Sequence, residues 1–213
     1  MSITILGDES IRSVALTIAA LADSDLSVSF EVTASQEDSR GGRLLVALSY
    51  PELIRVDVVE KYDHALVLHG SDLPEGRGWS PVQWQLLEGR VLFTMSLIRI
   101  ATPVDSGNVV LKRSFKIPKS ALYEEISAII AATQAAMIVE SLGMTDSDLL
   151  GYPQQGTPTY LRRRTRADSE LDPTKSIASQ WDKIRIADGS RFPTFFELEG
   201  RKYTLKLEEI RVK

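Results

Sequence analysis

The chain has no cysteine and only two histidines, His64 and His69, among 213 residues. The first absence excludes disulfides, thiolate metal sites and cysteine nucleophiles. The second leaves too few imidazoles for a histidine-rich centre, so no metal is expected. No stretch approaches the roughly 18 consecutive apolar residues that cross a bilayer, so no membrane segment is expected. There is no basic excess: 25 Lys and Arg stand against 29 Asp and Glu, a net charge of -4. That balance gives no global case for nucleic-acid binding. Neither a G-x-G-x-x-G after the first strand nor a G-K-[ST] phosphate loop is present, which weighs against dinucleotide redox and P-loop phosphoryl transfer. The N-terminus opens on strand-like Ile3-Thr4-Ile5-Leu6 rather than a signal-peptide pattern, and a cytoplasmic, bacterial-type enzyme is the expectation.

What is there is an alternation of strand-like and helix-like apolar periods. Ile3–Leu6 reads as a strand. Ser10–Leu21 reads as an amphipathic helix, with Ile11, Val14, Ala15, Ile18 and Leu21 at helical spacing. Leu26–Val32 alternates like a half-buried strand and Arg43–Ser49 reads as a buried one. Pro51 is expected to open a helix carrying Leu53, Ile54, Val58 and Val59. Ala65–Leu68 is the next strand. This rhythm predicts an α/β fold, with a mainly parallel, Rossmann-like sheet flanked by helices. Val91–Ile100 and Val109–Ile117 read as two further strands. Ser120–Leu142 is the longest helix, with Leu122, Ile126, Ile129, Thr133, Met137 and Glu140 on one face. Residues 143–159 read as an irregular connection and Ser176–Ala187 as a helix. Phe195–Leu198 with Tyr203–Leu207 reads as a terminal hairpin. The expected organisation is a catalytic domain over residues 1–150 and a C-terminal extension over 151–213. Phe195, Phe196, Tyr203 and Leu205 of that extension offer an apolar face for a homodimer.

Functional residue types concentrate from His69 to Pro81, a Gly/Pro-rich loop between a strand and the helix-like Val82–Glu88. Open α/β sheets bind ligands at such strand ends. Gly76 and Gly78 bracket Arg77, so the backbone bends while a cation is presented. Asp105-Ser106-Gly107 lies thirty-six residues beyond His69 and offers a carboxylate at a turn. A histidine and a carboxylate are the residue types that move protons near neutral pH. A structural histidine and a plain Asp-Ser-Gly turn are the alternative readings. Tyr160 precedes Arg162, Arg163, Arg164 and Arg166, four arginines in five positions. These read as a solvated face or as a grip for an anion such as a diphosphate. Trp79 reads equally as core packing or ligand contact. His64 and Asp72 read as packing or solvated residues.

In order and spacing, His69-x-Ser71-x-Leu73-Pro74, Arg77-Gly78, Pro81 and Asp105-x-Gly107 resemble the formyltransferase superfamily. A second set resembles the segment after the catalytic domain in its amino-sugar branch: Tyr160, Arg163, Arg164, Thr165, Asp168, Asp172, Ile184-Arg185, Phe192-Pro193 and Phe195-Phe196-Glu197. The resemblance covers about residues 43–207. It implies the formyltransferase fold and N10-formyltetrahydrofolate as formyl donor. It also implies a nucleotide-linked amino sugar as acceptor, in particular a 4-amino-4,6-dideoxy sugar for bacterial surface glycans, of the pseudaminic-acid pathway type. Catalytic roles follow by resemblance for His69 and Asp105. Donor contacts follow for Ser49, Tyr50, Leu53, Ile54, Gly70, Ser71, Leu73 and Pro74. Acceptor contacts follow for Arg77, Trp79, Tyr160, Arg162, Arg163 and Arg164.

One residue departs from the pattern. The family usually has an asparagine two residues before the histidine, on the same strand face. Here that residue is Val67, which cannot donate to a developing oxyanion. Losing one such donor typically costs roughly 10²–10³ in rate. Three alternatives therefore stand beside the sugar reading. One is transfer to another amine, of the glycinamide ribonucleotide or hydroxyornithine type. The others are a non-catalytic folate- or nucleotide-binding homologue, and a hydrolase releasing formate. The acidic charge and the short remainder after the catalytic domain point away from a tRNA acceptor.

Overall fold

The structure, a computed structural model, describes residues 2–8, 11–23, 28–189 and 191–210. The chain begins β1 (Ser2–Leu6), α1 (Arg12–Ala22), β2 (Ser29–Thr33), β3 (Gly42–Ala47), α2 (Val56–Val59) and β4 (Tyr62–His69). It continues β5 (Arg77–Gly78), α3 (Pro81–Leu87), β6 (Leu92–Arg99), β7 (Val109–Lys116), α4 (Tyr123–Leu142) and α5 (Asp146–Leu149). It ends β8 (Tyr160–Leu161), β9 (Glu170–Leu171), α6 (Trp181–Arg185), β10 (Phe195–Leu198) and β11 (Arg201–Thr204). The expected helix start at Ser10 and strand start at Leu26 lie outside the described residues.

Six strands form the main sheet in the order β2-β1-β3-β4-β6-β7. Pairing is parallel from β2 to β4, and antiparallel for β6 and β7. The strand order turns back between β1 and β3, so the carboxyl ends of the parallel strands form the ligand-binding edge of this fold type. The central parts of β3 and β4, Leu44–Ala47 and Ala65–Leu68, are unbroken apolar runs because both faces of the sheet are covered. On one face Ile3, Ile5, Leu44, Val46, Leu66 and Leu97 pack with Val14 and Leu21 of α1 and with Met137, Ile138 and Leu142 of α4. Each such burial contributes about 1.5–3 kcal/mol, making this face the main core. The opposite face carries Leu6, Leu45, Val58, Tyr62 and Ala65 under Tyr50, Ile54 and Ile100. Alternation puts Val67 and His69 on this second face too.

Four local expectations change. The α4 core face runs through Ala131, Gln134, Ala135, Ile138, Ser141 and Leu142. Thr133 is only half-buried and Glu140 is exposed, where it pairs with Arg113. By length and composition alone α4 is apolar enough to cross a membrane. Its packing against α1 and the sheet makes it a helix of the core. Pro51 does not open a helix; α2 starts at Val56. The buried Gln36 side chain explains why, since it donates to the Leu53 carbonyl and accepts from the Arg55 N–H, holding this backbone non-helical. The helix expected over Ser176–Ala187 is broken into a 3₁₀ turn at Ala178–Gln180 and α6. Gln180 has left the helical region there, and its side chain is hydrogen-bonded to both the N–H and the carbonyl of Asp172. Finally, the hairpin turn is two residues, Glu199-Gly200, both at positive φ, the geometry that matches strand twist. β11 therefore starts at Arg201 and ends at Thr204. Phe196 stacks on Tyr203 within the hairpin, and Phe195 is buried in the chain's own fold.

Candidate active site

β4 delivers His69 to the strand-end edge, and the loop after it is held mostly through its backbone. Ser71 Oγ donates to the carbonyls of Glu75 at 2.6 Å and Gly76 at 3.2 Å. Ser96 Oγ donates to the Ser71 carbonyl, and Gln85 Nε2 to that of Gly70. Ser71, Leu73 and Pro74 are buried, so they brace the loop from within. His69 is buried with its Nε2 2.8 Å from the Gly76 carbonyl oxygen. A carbonyl only accepts, so Nε2 carries its hydrogen and donates. Nδ1 then faces Asp105 Oδ1 at 3.5 Å.

Asp105 is placed by a constrained turn. Its φ is 59°, a left-handed conformation that Asp tolerates better than most residues. A Cβ on the neighbouring Gly107 would lie 1.8 Å from the Arg99 carbonyl oxygen, so only glycine fits there. Asp105 Oδ2 accepts from the Gly78 N–H at 2.8 Å, which leaves Oδ1 toward His69. The structure thus brings together the two residues picked out as the acid–base pair.

The expected acceptor side assembles next to this pair. β5 and β8 form a two-stranded parallel ladder, Arg77 opposite Tyr160 and Gly78 opposite Leu161. A Cβ on Gly78 would meet the Leu161 carbonyl oxygen at 2.4 Å. Arg77 Nη1 donates to the Tyr160 hydroxyl at 3.4 Å and Nη2 to Gln154 Oε1 at 2.6 Å. Trp79 is 47% exposed with the Arg163 guanidinium over its ring at 4.8 Å. Among the described residues no carboxylate pairs with Arg77 or Arg163.

The other three arginines of the run contact groups of the chain itself, Arg164 from a buried position and Arg162 and Arg166 from exposed ones. Arg162 stacks over Trp84 and makes a bidentate pair with Asp168. Arg164 is buried over Phe192 and donates to Ser169 Oγ; burial pushes its guanidinium below the usual range. Arg166 lies over Phe195. Arg163, over Trp79, is the arginine of the run set beside Arg77, while Arg166 is likewise exposed without a carboxylate partner among the described residues.

Asp168 links this stack to pH. The Arg162 guanidinium holds its carboxyl far below the usual carboxylate range, with Thr165 adding hydrogen bonds. A carboxyl depressed in the folded state contributes stability above its unfolded value near 3.9, and loses it as pH falls toward the folded value. Asp168→Asn is therefore expected to lower the urea midpoint at pH 7 and to flatten its decline between about pH 5 and 3. Urea titrations of both proteins across that range check this; parallel curves would exclude it.

The expected donor side lies on the same sheet face. Ser49 follows β3 at φ 55°. Tyr50 and Ile54 pack beside Ala65, and burial together with the nearby Glu52 carboxylate raises the Tyr50 phenol above its ordinary value. Leu53 is 73% exposed. Gly70 meets α3 closely, where a Cβ would lie 2.5 Å from Val82 Cγ2. Val67 packs against Leu73, Ile98 and Val109. Its lateral neighbours in the sheet are Ala47 and Ile98. An oxyanion donor from those strand positions is absent.

His64, on the same strand as His69, has a structural setting. It accepts from Arg99 at Nδ1 and donates from Nε2 to Asp146, pinning α5 to the sheet. Arg99 also donates to the Leu149 carbonyl. Asp72 pairs with Lys112. A cleft of about 770 Å³ lies elsewhere, between α3 and α6. Its charged residues pair mostly among themselves or with neighbours. Two residues that matter at the His69 site were missed in the sequence: Gln154, and Thr159, whose Oγ1 accepts from the Gly76 N–H. Both sit in a stretch read as irregular connection. Its length was the available signal, because long loops without secondary structure are usually functional.

The sheet is of the doubly wound α/β class, with a histidine–aspartate pair at its carboxyl edge. The formyl transferase family model matches residues 15–142, and the chain belongs to that family. It is 29% identical over 171 residues to a methionyl-tRNA formyltransferase of Anaeromyxobacter dehalogenans, covering 78% of this chain and 54% of the relative. The chain thus spans about half the length of the curated relatives it matches. Among solved structures, a methionyl-tRNA formyltransferase from Clostridium thermocellum superposes with a TM-score of 0.83 at 20% identity, over 99% of this chain and 94% of that one. A 4-N formyltransferase from Francisella tularensis gives 0.71 at 12% identity, over 99% and 98% of the chains. HypX from Aquifex aeolicus in complex with tetrahydrofolic acid gives 0.71 at 15% identity, over 94% and 36%. These likenesses establish the mostly parallel α/β formyltransferase fold.

Proposed function

We propose that the chain transfers a formyl group from N10-formyltetrahydrofolate to the amine of a nucleotide-linked amino sugar. The observation that carries the acceptor class is the pair of cations without carboxylate partners, Arg77 and Arg163, set beside the exposed rings of Tyr160 and Trp79. A diphosphate suits the former and a base or sugar face the latter. The 4-N formyltransferase among the structural neighbours supports the same class. The donor is supported by family membership and by the neighbour solved with tetrahydrofolic acid. The residues present fit such a donor. Leu53 and Val104 are apolar yet exposed, and a flat ring laid over either would cover it, while Tyr50 and Ile54 pack against the sheet's second face.

When bound, the donor supplies a formyl carbon whose bond to N10 is exchanged for a bond to the acceptor nitrogen, with one proton passing from the amine to the folate side. The chain's part is to hold that proton and the geometry. Nε2 of His69 is committed to Gly76, and Oδ2 of Asp105 to Gly78. Proton exchange therefore falls to Nδ1 and Oδ1, whose 3.5 Å gap a small approach closes to a hydrogen bond. Arg77 and Arg163 orient the acceptor's phosphates.

Transfer to an aminoacyl-tRNA amine is a second reading, favoured by the methionyl-tRNA formyltransferases among the relatives. The deciding experiment offers purified protein and N10-formyltetrahydrofolate a panel of UDP-, dTDP-, GDP- and CMP-linked amino sugars and, separately, methionyl-tRNA. Mass spectrometry reads the gain of one formyl group. A formylated nucleotide sugar is the expected product. Formylated methionyl-tRNA alone would replace the reading, and formate release without any acceptor would point to a hydrolase.

A further inference from the structure

We propose that Gln154 is the positioning residue that joins the two halves of this site, fixing the Asp105 turn through its amide nitrogen and the Arg77 guanidinium through its amide oxygen. The inference rests on the formyl-transfer reading above and deepens it. Its amide has two N–H donors and one carbonyl acceptor, and all three functions are used. Nε2 donates to the Asp105 carbonyl at 2.7 Å and to the Gly107 carbonyl at 2.9 Å. Oε1 accepts from Arg77 Nη2 at 2.6 Å. The partners also dictate the amide's orientation. A flipped amide would set its oxygen against two carbonyl oxygens and its NH2 against a guanidinium.

Each arm holds a group on which the site's geometry depends. Asp105 sits at positive φ, which a non-glycine residue keeps only when its surroundings hold it there. Gly78 holds its carboxylate from one side and Gln154 holds its carbonyl from the other. Release of the carbonyl lets the turn relax, and Oδ1 moves relative to His69. Arg77 has a buried Nε without a partner among the described residues, and its contact to Tyr160 is long. The Gln154 oxygen is its short side-chain tether, so Gln154 decides where that cation points. One side chain from the segment after α5 thus couples the acid–base pair to the acceptor cation.

The test uses two readouts on the full chain. The first is independent of activity. Because the protein has two histidines, NMR resolves both ring signals, with His69→Ala assigning one of them. Gln154→Met removes both arms. Gln154→Glu keeps the residue's size and an acceptor for Arg77 but sets carboxylate oxygens against two carbonyls. Both variants are expected to move the His69 ring signal, in the direction seen for Asp105→Asn, and to leave that of His64 in place. The second readout is kinetic. Gln154→Met is expected to lower kcat about 10-fold and raise the acceptor KM about 5-fold. In an Arg77→Met background the KM effect should vanish while the kcat effect remains. A merely structural glutamine would lower the melting temperature and leave the His69 signal, kcat and KM as in the wild type, and that outcome overturns the proposal. Where Gln154→Met fails to fold, Gln154→Glu decides by the same His69 signal. If the wild-type protein formylates no acceptor, the functional reading fails by itself. The histidine spectra then still decide the Gln154 proposal, a shift sustaining it and an unmoved signal refuting it.

Discussion

His69→Ala is expected to lower formyl-transfer turnover by at least about 10²-fold, and Asp105→Asn by a similar factor. The two substitutions are chosen for what they leave behind. In His69→Ala the Gly76 carbonyl keeps Ser71 Oγ as a donor. The fold then loses the imidazole's packing and one hydrogen bond, about 1–3 kcal/mol, which a well-folded domain tolerates. In Asp105→Asn the amide oxygen still accepts from Gly78, so the turn stays tied, while the charge and basicity that face Nδ1 are gone. Turnover with the sugar acceptor, read beside a thermal melt, separates chemistry from stability. Near-normal rates in both variants would show that this pair is not where the proton goes.

The second large effect is a gain. Val67→Asn is expected to raise kcat by about 10- to 10²-fold, the inverse of the roughly 10²–10³ lost when such a donor is removed. Residue 67 is on the His69 face of β4 and half-buried, against Leu73, Ile98 and Val109. No lateral strand neighbour supplies a donor, since Ala47 and Ile98 flank it. The amide is costly in that apolar setting, and a loss of about 1–3 kcal/mol in stability should accompany the gain. Single-turnover rates for the two proteins make the comparison without interference from product release. An unchanged rate would mean that a backbone N–H already holds the developing oxyanion and that residue 67 does not limit the chemistry.

Strands and long helices were legible because burial on both faces of the sheet writes itself into apolar runs, as in Leu44–Leu48 and Ala65–Leu68. His69 and Asp105 were legible because their residue types, glycine neighbours and spacing are local features. Contacts made by polar side chains to distant backbone were not. Gln36, which keeps residues 53–55 out of a helix, looks in the sequence like any loop glutamine. Gln134 and Ser141 lie on the core face of α4, where helical spacing from Leu122 and Ile126 directed the reading to Thr133 and Glu140. The short helix α5 had a visible start signal, Thr145 capping Asp148 and Asp148 capping back, hidden inside a stretch that otherwise read as loop. The arginine run was visible as charge. Its stacking on Trp84, Trp79, Phe192 and Phe195 depended on partners tens of residues away.

The ladder between β5 and β8 bears on how such an enzyme is retargeted. Gly78 is pressed against the Leu161 backbone, and the Arg77 and Trp79 N–H groups donate to the carbonyls of Thr159 and Leu161. On the proposed reading, acceptor preference is written across two distant stretches whose backbones must fit each other. A chimera that imports residues 152–171 from a relative without residues 76–79 would inherit a mismatched seam and a displaced carboxylate. Both stretches moved together would carry the new preference intact.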